Sequence, residues 1–140
     1  MKTPTWVGIV GIIGLAWNVL VLVQVVGSVG RTAADFVRQG SSAAAADALA
    51  SVPLWAELGF AAGAILGIAG CLLIARRDRR AIPVLVASTL GYALLVAGNV
   101  AGGVFALTGG WHLAVNLILV VIAVDLVVVA ILGVRRNILT

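Results

Sequence analysis

The sequence predicts an all-α protein: an integral membrane bundle of four transmembrane helices, forming a single domain over residues 1–140. Three observations carry that expectation. Four apolar stretches, 6–27, 54–75, 82–107 and 111–134, fill most of the chain. Each is long enough to cross a bilayer core about 30 Å thick, which needs roughly 20 apolar residues of helix. Hydrophobic residues make up 63% of the chain and charged residues only 10%, far from the balance of a water-soluble domain. The basic residues, finally, stand in the gaps between the apolar stretches rather than inside them.

Those gaps also set a topology. Lys2 precedes the first stretch, Arg76, Arg77, Arg79 and Arg80 fill the turn between the second and third, and Arg135 and Arg136 follow the fourth. Alternating crossings bring all of these to one side. Arg31 and Arg38 lie on the other, where Asp35 and Asp47 balance them. Lys and Arg accumulate on the cytoplasmic side of membrane proteins. Both termini are therefore expected in the cytoplasm, with the periplasmic segment 28–53 and the turn 108–110 outside. So strong a bias argues against a dual-topology protein. The net charge of +4 is explained by this rule and implies no nucleic-acid partner. Arg76, Arg77, Arg79 and Arg80 suit anionic lipid headgroups, at about 1 kcal/mol each, so membrane lipids are expected partners.

The elements follow in order. The first span begins after Pro4, with Trp6 at the inner headgroup level. Its apolar run exceeds the roughly 7–15 residues of a cleaved signal peptide's core. In 28–53, Thr32–Gln39 suits two helical turns carrying Phe36 and Val37, Gly40 breaks them, and Ser42 caps a second short helix over Ala43–Ala50. These are expected to lie flat on the membrane with Phe36 and Leu49 dipping inward; an irregular loop is the alternative for part of the segment. The second span opens after Pro53 with Trp55 at the outer interface, and Trp111 marks the outer start of the fourth. Trp17 alone among the tryptophans falls mid-span. Gly109-Gly110 is a turn signal. Short connections make the second and third spans, and the third and fourth, antiparallel neighbours.

Lipid tails are as apolar as leucine, so membrane helices associate through small residues that allow close approach. The second span carries Gly59, Gly63, Gly67 and Gly70 within a sector of about 80°. The third carries Ser88, Gly91, Gly98 and Gly102 in a similar stripe, with Asn99 beside it. The first carries Gly8, Gly11 and Gly14, continued by Asn18. These glycines read as helix-packing faces. No strand precedes any of them, so none has the setting of a phosphate-binding loop.

The fourth span has two faces. Asn116, Ala123, Ala130 and Gly133 form a small one. Asp125 lies nine residues beyond Asn116, about 900° or half a turn away. Either Asp125 faces the core and the small face meets another chain, or the reverse. Exposure of Asp125 to lipid costs about 2.5–3.5 kcal/mol on the insertion scale, so a homo-oligomer or other membrane subunits are expected as partners. Asn18 and Asp125 share a depth, and a hydrogen bond between them is expected to be possible. Asp125 has two readings, a helix-fixing group or a proton or cation carrier. The first is favoured because no second deep charge continues a path.

Gln24, Asn99, His112 and Asn116 fall in the outer half, and Glu57 sits one turn inside the outer end of the second span. Glu57 is expected in a surface role, within reach of headgroup water; together these groups either line a shallow vestibule or each satisfy a neighbouring helix. No serine has a suitable base for nucleophilic catalysis. Cys71 is the single cysteine and can form no internal disulfide or redox pair. His112, the single histidine, has no metal-ligand companions at the required spacing, and bis-histidine haem ligation within one chain is impossible. No enzyme activity, no cofactor and no metal are expected.

Trp6 with Gly8, Trp17-Asn18, Pro53-x-Trp55, Gly63 and Gly67, and the basic turn leading to Ala81 and Pro83 together resemble a group of small bacterial four-helix inner-membrane proteins, many labelled "sugar transporter". An acidic-aromatic pair that often follows Trp-Asn in that group is absent, and Val21–Gln24 stands in its place. The resemblance implies a multi-pass protein of the bacterial inner membrane. The functional expectation is a non-enzymatic accessory or scaffold subunit, packing in an oligomer or a larger membrane complex. The alternative is a small-solute transporter working as an oligomer, with Asp125 and Asn18 at its site.

Overall fold

The computed structural model describes residues 5–140; Lys2 and Pro4, used above, lie outside the described residues. The chain is all-helical over that range. Its elements are α1 Trp6–Ser28, α2 Ala33–Arg38, α3 Ala43–Ala50, α4 Leu54–Ala75, α5 Ala81–Ala101, α6 Val104–Thr108 and α7 Gly110–Arg135. Among the described residues α1, α4, α5 and α7 are the four helices long and apolar enough to span a membrane. Helix is the form such segments must take, because hydrocarbon offers no partner for a free backbone N–H or C=O.

The four long helices form a ring in the order α1, α4, α5, α7. The α4/α5 interface is the most extensive, α1/α4 and α5/α7 are intermediate, and α1 meets α7 only along a thin seam. Burial is inverted relative to a water-soluble bundle. Asn18, Ser88, Asn99 and Asn116 are buried, while Ile12 is 65% exposed, Leu20 62% and Leu90 62%. Large apolar side chains pointing outward and small or polar ones inward is the arrangement that a lipid solvent selects. Two apolar clusters fill the interior, one at the arginine-bearing end around Ile74 and Leu85, the other around Ala64 and Leu119.

One boundary departs from the sequence expectation. The third span was expected to run to Leu107, but α5 ends at Ala101 and a separate α6 begins at Val104. The apolar run continues, but the helix does not. Gly103 adopts a left-handed conformation with φ 65°, and Val100 O accepts from its amide. Hydrophobicity alone does not report this break, because both sides of it are apolar.

Helices α4 and α7 end alike. Arg77 and Asn137 take φ values of 61° and 53°. The next amide in each case reaches back to close the helix, Asp78 to Leu73 O at 2.9 Å and Ile138 to Gly133 O at 2.8 Å. This is the Schellman closure, which usually recruits glycine at the left-handed position. Behind it the chain folds under the bundle. Ile138 and Leu139 are buried, and Thr140 N donates to Arg77 O at 2.8 Å. Arg136 lies 5.9 Å from the Trp6 ring centroid, placing the start of α1 beside the end of α7. Pro83 falls in the first turn of α5, where its missing N–H has no helical acceptor to lose.

At the opposite end α2 and α3 sit over the bundle, with α3 against α6. Thr32 N and Thr32 Oγ1 each donate to Asp35 Oδ2 at 2.8 Å. Ser42 Oγ accepts from Ala45 N at 3.3 Å. Both short helices thus start on a capping side chain. Phe36 and Leu49 are half-buried. The Thr32 hydrogen bonds, chiefly that from its amide, hold the Asp35 carboxyl below the usual carboxylate range, with Arg38 and Arg31 adding to the effect.

Candidate functional site

Glycine controls how closely α4 and α5 approach. A methyl group on Gly91 would stand 2.6 Å from Gly59 O and 2.8 Å from Gly63 Cα, both backbone atoms. One on Gly59 would meet Leu94 Cβ at 2.8 Å, and one on Gly70 would meet Leu85 at 2.5 Å. Gly98 faces Ala56 in the same manner. Ser88 Oγ donates to Gly63 O at 2.6 Å, tying the two helices by a buried hydrogen bond. Gly102 is a correction. It was grouped with the packing glycines, but it caps α5, and a methyl there would meet only Gly98 O and Val104 of its own connection. The stripe ends where the helix ends.

Helix α1 joins this pair through a polar knot. Asn18 donates to Gly14 O at 2.8 Å and accepts from Tyr92 Oη at 2.7 Å. Its amide also lies 3.9 Å from Cys71 Sγ. Gly67 makes room for it, since any side chain there would overlap the Asn18 amide. The bond considered between Asn18 and Asp125 is not formed: the Asn18 nitrogen donates to Gly14 O and its oxygen accepts from Tyr92 of α5, so both ends of the amide are engaged elsewhere. Tyr92 went unmarked in the sequence, although it lies four residues after Ser88 and seven before Asn99. At helical spacing all three share one stripe.

Helix α7 resolves its two faces. Asn116, Ala123, Ala130 and Gly133 are buried, and Asp125 is exposed. The small face turns inward because close approach between helices is what stabilises the bundle. Asp125 is left in a groove of about 240 Å³ along the α1/α7 seam, with Val10, Ile13, Trp17, Ile122 and Val129 around it. The indole nitrogen of Trp17 is sealed from solvent within the chain and has no hydrogen-bond partner among the described residues. An unsatisfied buried donor costs about 1–3 kcal/mol.

A second cavity, about 650 Å³, opens at the α2/α3 end between α1, α4, α5 and α7. Gln24, Glu57, Asn99, His112 and Asn116 all line it, and Arg31 joins them. The two asparagines are held in place: Asn99 Nδ2 donates to Asn116 Oδ1 at 3.1 Å and Asn116 Nδ2 to His112 O at 2.8 Å. The vestibule and the mutual satisfaction of neighbouring helices thus occur together. Phe36, Leu49, Phe60, Leu95 and Leu119 supply apolar walls. Arg31 was read from the sequence only as a charge outside the membrane; the α1–α2 connection brings it over the cavity. Arg76, Arg77, Arg79 and Arg80 lie exposed at the other end. Cys71 is a buried free thiol.

The chain matches no family model, no curated protein and no solved structure.

Proposed function

We propose that the chain is a non-enzymatic subunit of a membrane assembly whose α1/α7 seam is covered by a transmembrane helix of a second copy. The observation that carries this reading is Asp125, exposed on the outer face of the bundle about 15 Å along α7 from its arginine-bearing end. Lipid contact there is costly, by about 2.5–3.5 kcal/mol for an aspartate at the helix centre. A neighbour that offers a donor removes that cost. A second copy is the neighbour proposed because most oligomers are closed homo-oligomers, two-fold dimers above all. In this reading the arginine-bearing end is cytoplasmic and the protein resides in the bacterial inner membrane, consistent with the charge bias and with the resemblance drawn from its Trp, Pro and Gly punctuation.

Size in mild detergent tests it. The wild-type chain runs as an oligomer of itself, Asp125→Leu runs as a monomer, and Asp125→Asn, which still hydrogen-bonds, retains the larger particle. A wild-type chain that is monomeric with nothing co-purifying contradicts the reading. A stoichiometric foreign membrane protein that Asp125→Leu releases replaces self-association with a mixed complex. A second reading, small-solute transport by an oligomer, is favoured by one observation, the polar-lined cavity between the four helices. Its site then lies at Asn99, Asn116 and their neighbours rather than at Asp125 and Asn18, which face different surroundings.

A further inference from the structure

We infer that the cavity beneath α2 and α3 is a binding site for a zwitterion that bears both an anionic group and a primary ammonium, as the head of an aminophospholipid does. The inference is independent of the subunit reading, because every residue it uses belongs to one chain and none lies in the α1/α7 groove around Asp125.

The charges on the cavity wall decide the ligand class. Arg31 enters from the connection after α1, and Glu57 from the first turn of α4. Among the described residues the one ion pair is Arg38–Asp35 at 3.7 Å, so Arg31 and Glu57 do not neutralise each other or anything else by contact. Among the described residues the only hydrogen bond of the Arg31 side chain is a long one, 3.4 Å to Gln39 Oε1, which leaves most of its five donors unused. A purely anionic ligand would meet Glu57, and a purely cationic one would meet Arg31. A neutral apolar ligand would strip water from both charges and return nothing. A molecule with one charge of each sign satisfies both walls.

The floor fits the same class. Asn99 and Asn116 are each 5% exposed, and their mutual bond fixes which way both amides point. Asn99 Oδ1 accepts no hydrogen bond from the described residues and is not among the atoms sealed from solvent, so it offers an acceptor to an ammonium. Phe60, Leu95 and Leu119 then provide apolar contact for whatever carbon skeleton the charged head carries. At about 650 Å³ the cavity lies within the range of roughly 300–1,000 Å³ typical of small-molecule sites. The ligand's source is either the bilayer or the aqueous phase.

Native mass spectrometry of the full chain in detergent, titrated with phosphatidylethanolamine or phosphatidylglycerol, tests the inference. Phosphatidylethanolamine is retained in preference to phosphatidylglycerol by the wild type. Glu57→Gln abolishes that preference, lowering phosphatidylethanolamine retention about tenfold, the effect of one lost charged hydrogen bond. Arg31→Gln weakens both lipids. Glycerophosphoethanolamine, the same head without acyl chains, separates the sources: competition at equal concentration assigns an aqueous zwitterion, and failure to compete assigns the lipid. Retention that ignores the headgroup and both substitutions overturns the inference. Both residues lie outside the packed core, and circular dichroism of each variant checks that the helices are intact.

Discussion

Helices α4 and α5 on one side of the ring, and α1 and α7 on the other, solve the same problem with different outcomes. Both pairs are antiparallel, apolar and of similar length. Between α4 and α5 the small residues of the two helices face each other, so the backbones touch and Ser88 reaches across. Between α1 and α7 they do not face each other. Gly11 of α1 is taken up by α4, through Ile74 and Cys71, and Gly14 meets the large side chain of Leu126 on α7 as well as Cys71 on α4. The small face of α7 is spent on the interior and on the C-terminal turn, where Gly133 receives Leu139. What remains along the seam are Trp17, Asp125 and branched apolar side chains. Dispersion between close backbones holds the first pair, and its absence leaves the second open to a groove and next to a cavity.

The comparison breaks most readily at Gly91. Gly91→Leu forces a side chain into backbone atoms of α4 and is expected to cost about 3 kcal/mol, the upper part of the overpacking range. Gly8→Leu on α1, where nothing lies within 4 Å of the added carbon, is expected to stay within about 0.5 kcal/mol. Reversible unfolding in mixed micelles measures both, and equal costs would remove the distinction between the two sides.

The link between the sides is Asn18. Tyr92→Phe leaves the Asn18 oxygen without its partner and is expected to cost about 1 kcal/mol, within the range found for buried polar contacts in membrane bundles. It should also loosen α1 specifically, seen as faster amide exchange around Gly14 and Asn18 and unchanged exchange in α4. Smaller still, Arg77→Gly relieves a left-handed residue in the turn of the tight pair. A stabilisation of up to about 1 kcal/mol is expected, read as a higher melting temperature, whereas a loss would mean that the arginine side chain matters more than its backbone strain.

The mildest perturbation is pH at α2, at the cavity end of the bundle. Asp35 is held below its ordinary range by Thr32. A group whose folded pKa is depressed stabilises above its unfolded pKa and loses that contribution as pH falls through the folded value. Protection of the α2 amides should therefore hold at neutral pH and fade only at pH below the usual carboxylate range. Asp35→Asn should show the faded state at every pH.

Much of this was legible in the sequence for physical reasons. Spans are set by the thickness of hydrocarbon, so apolar run length reports them, and only the glycine-borne break after Ala101 escapes that measure. Stripes of small residues report contact faces, because only they permit close approach. The direction of Asp125 was not legible. Periodicity gives the angle between two faces of one helix, half a turn here, but not which face turns inward; that depends on what the other three helices present. Tyr92 bonding Asn18, and Arg31 reaching the cavity beside Glu57, likewise depend on how separate segments assemble, which no local pattern encodes.

The central claim is that protein, not lipid, covers the seam beside Asp125. A photoreactive side chain at Ile13, in the groove and 64% exposed, compared with one at Ile65 on α4, 54% exposed, tests it in native membranes. The account predicts a protein adduct from position 13 and lipid adducts from position 65. Lipid adducts alone from position 13 would contradict it.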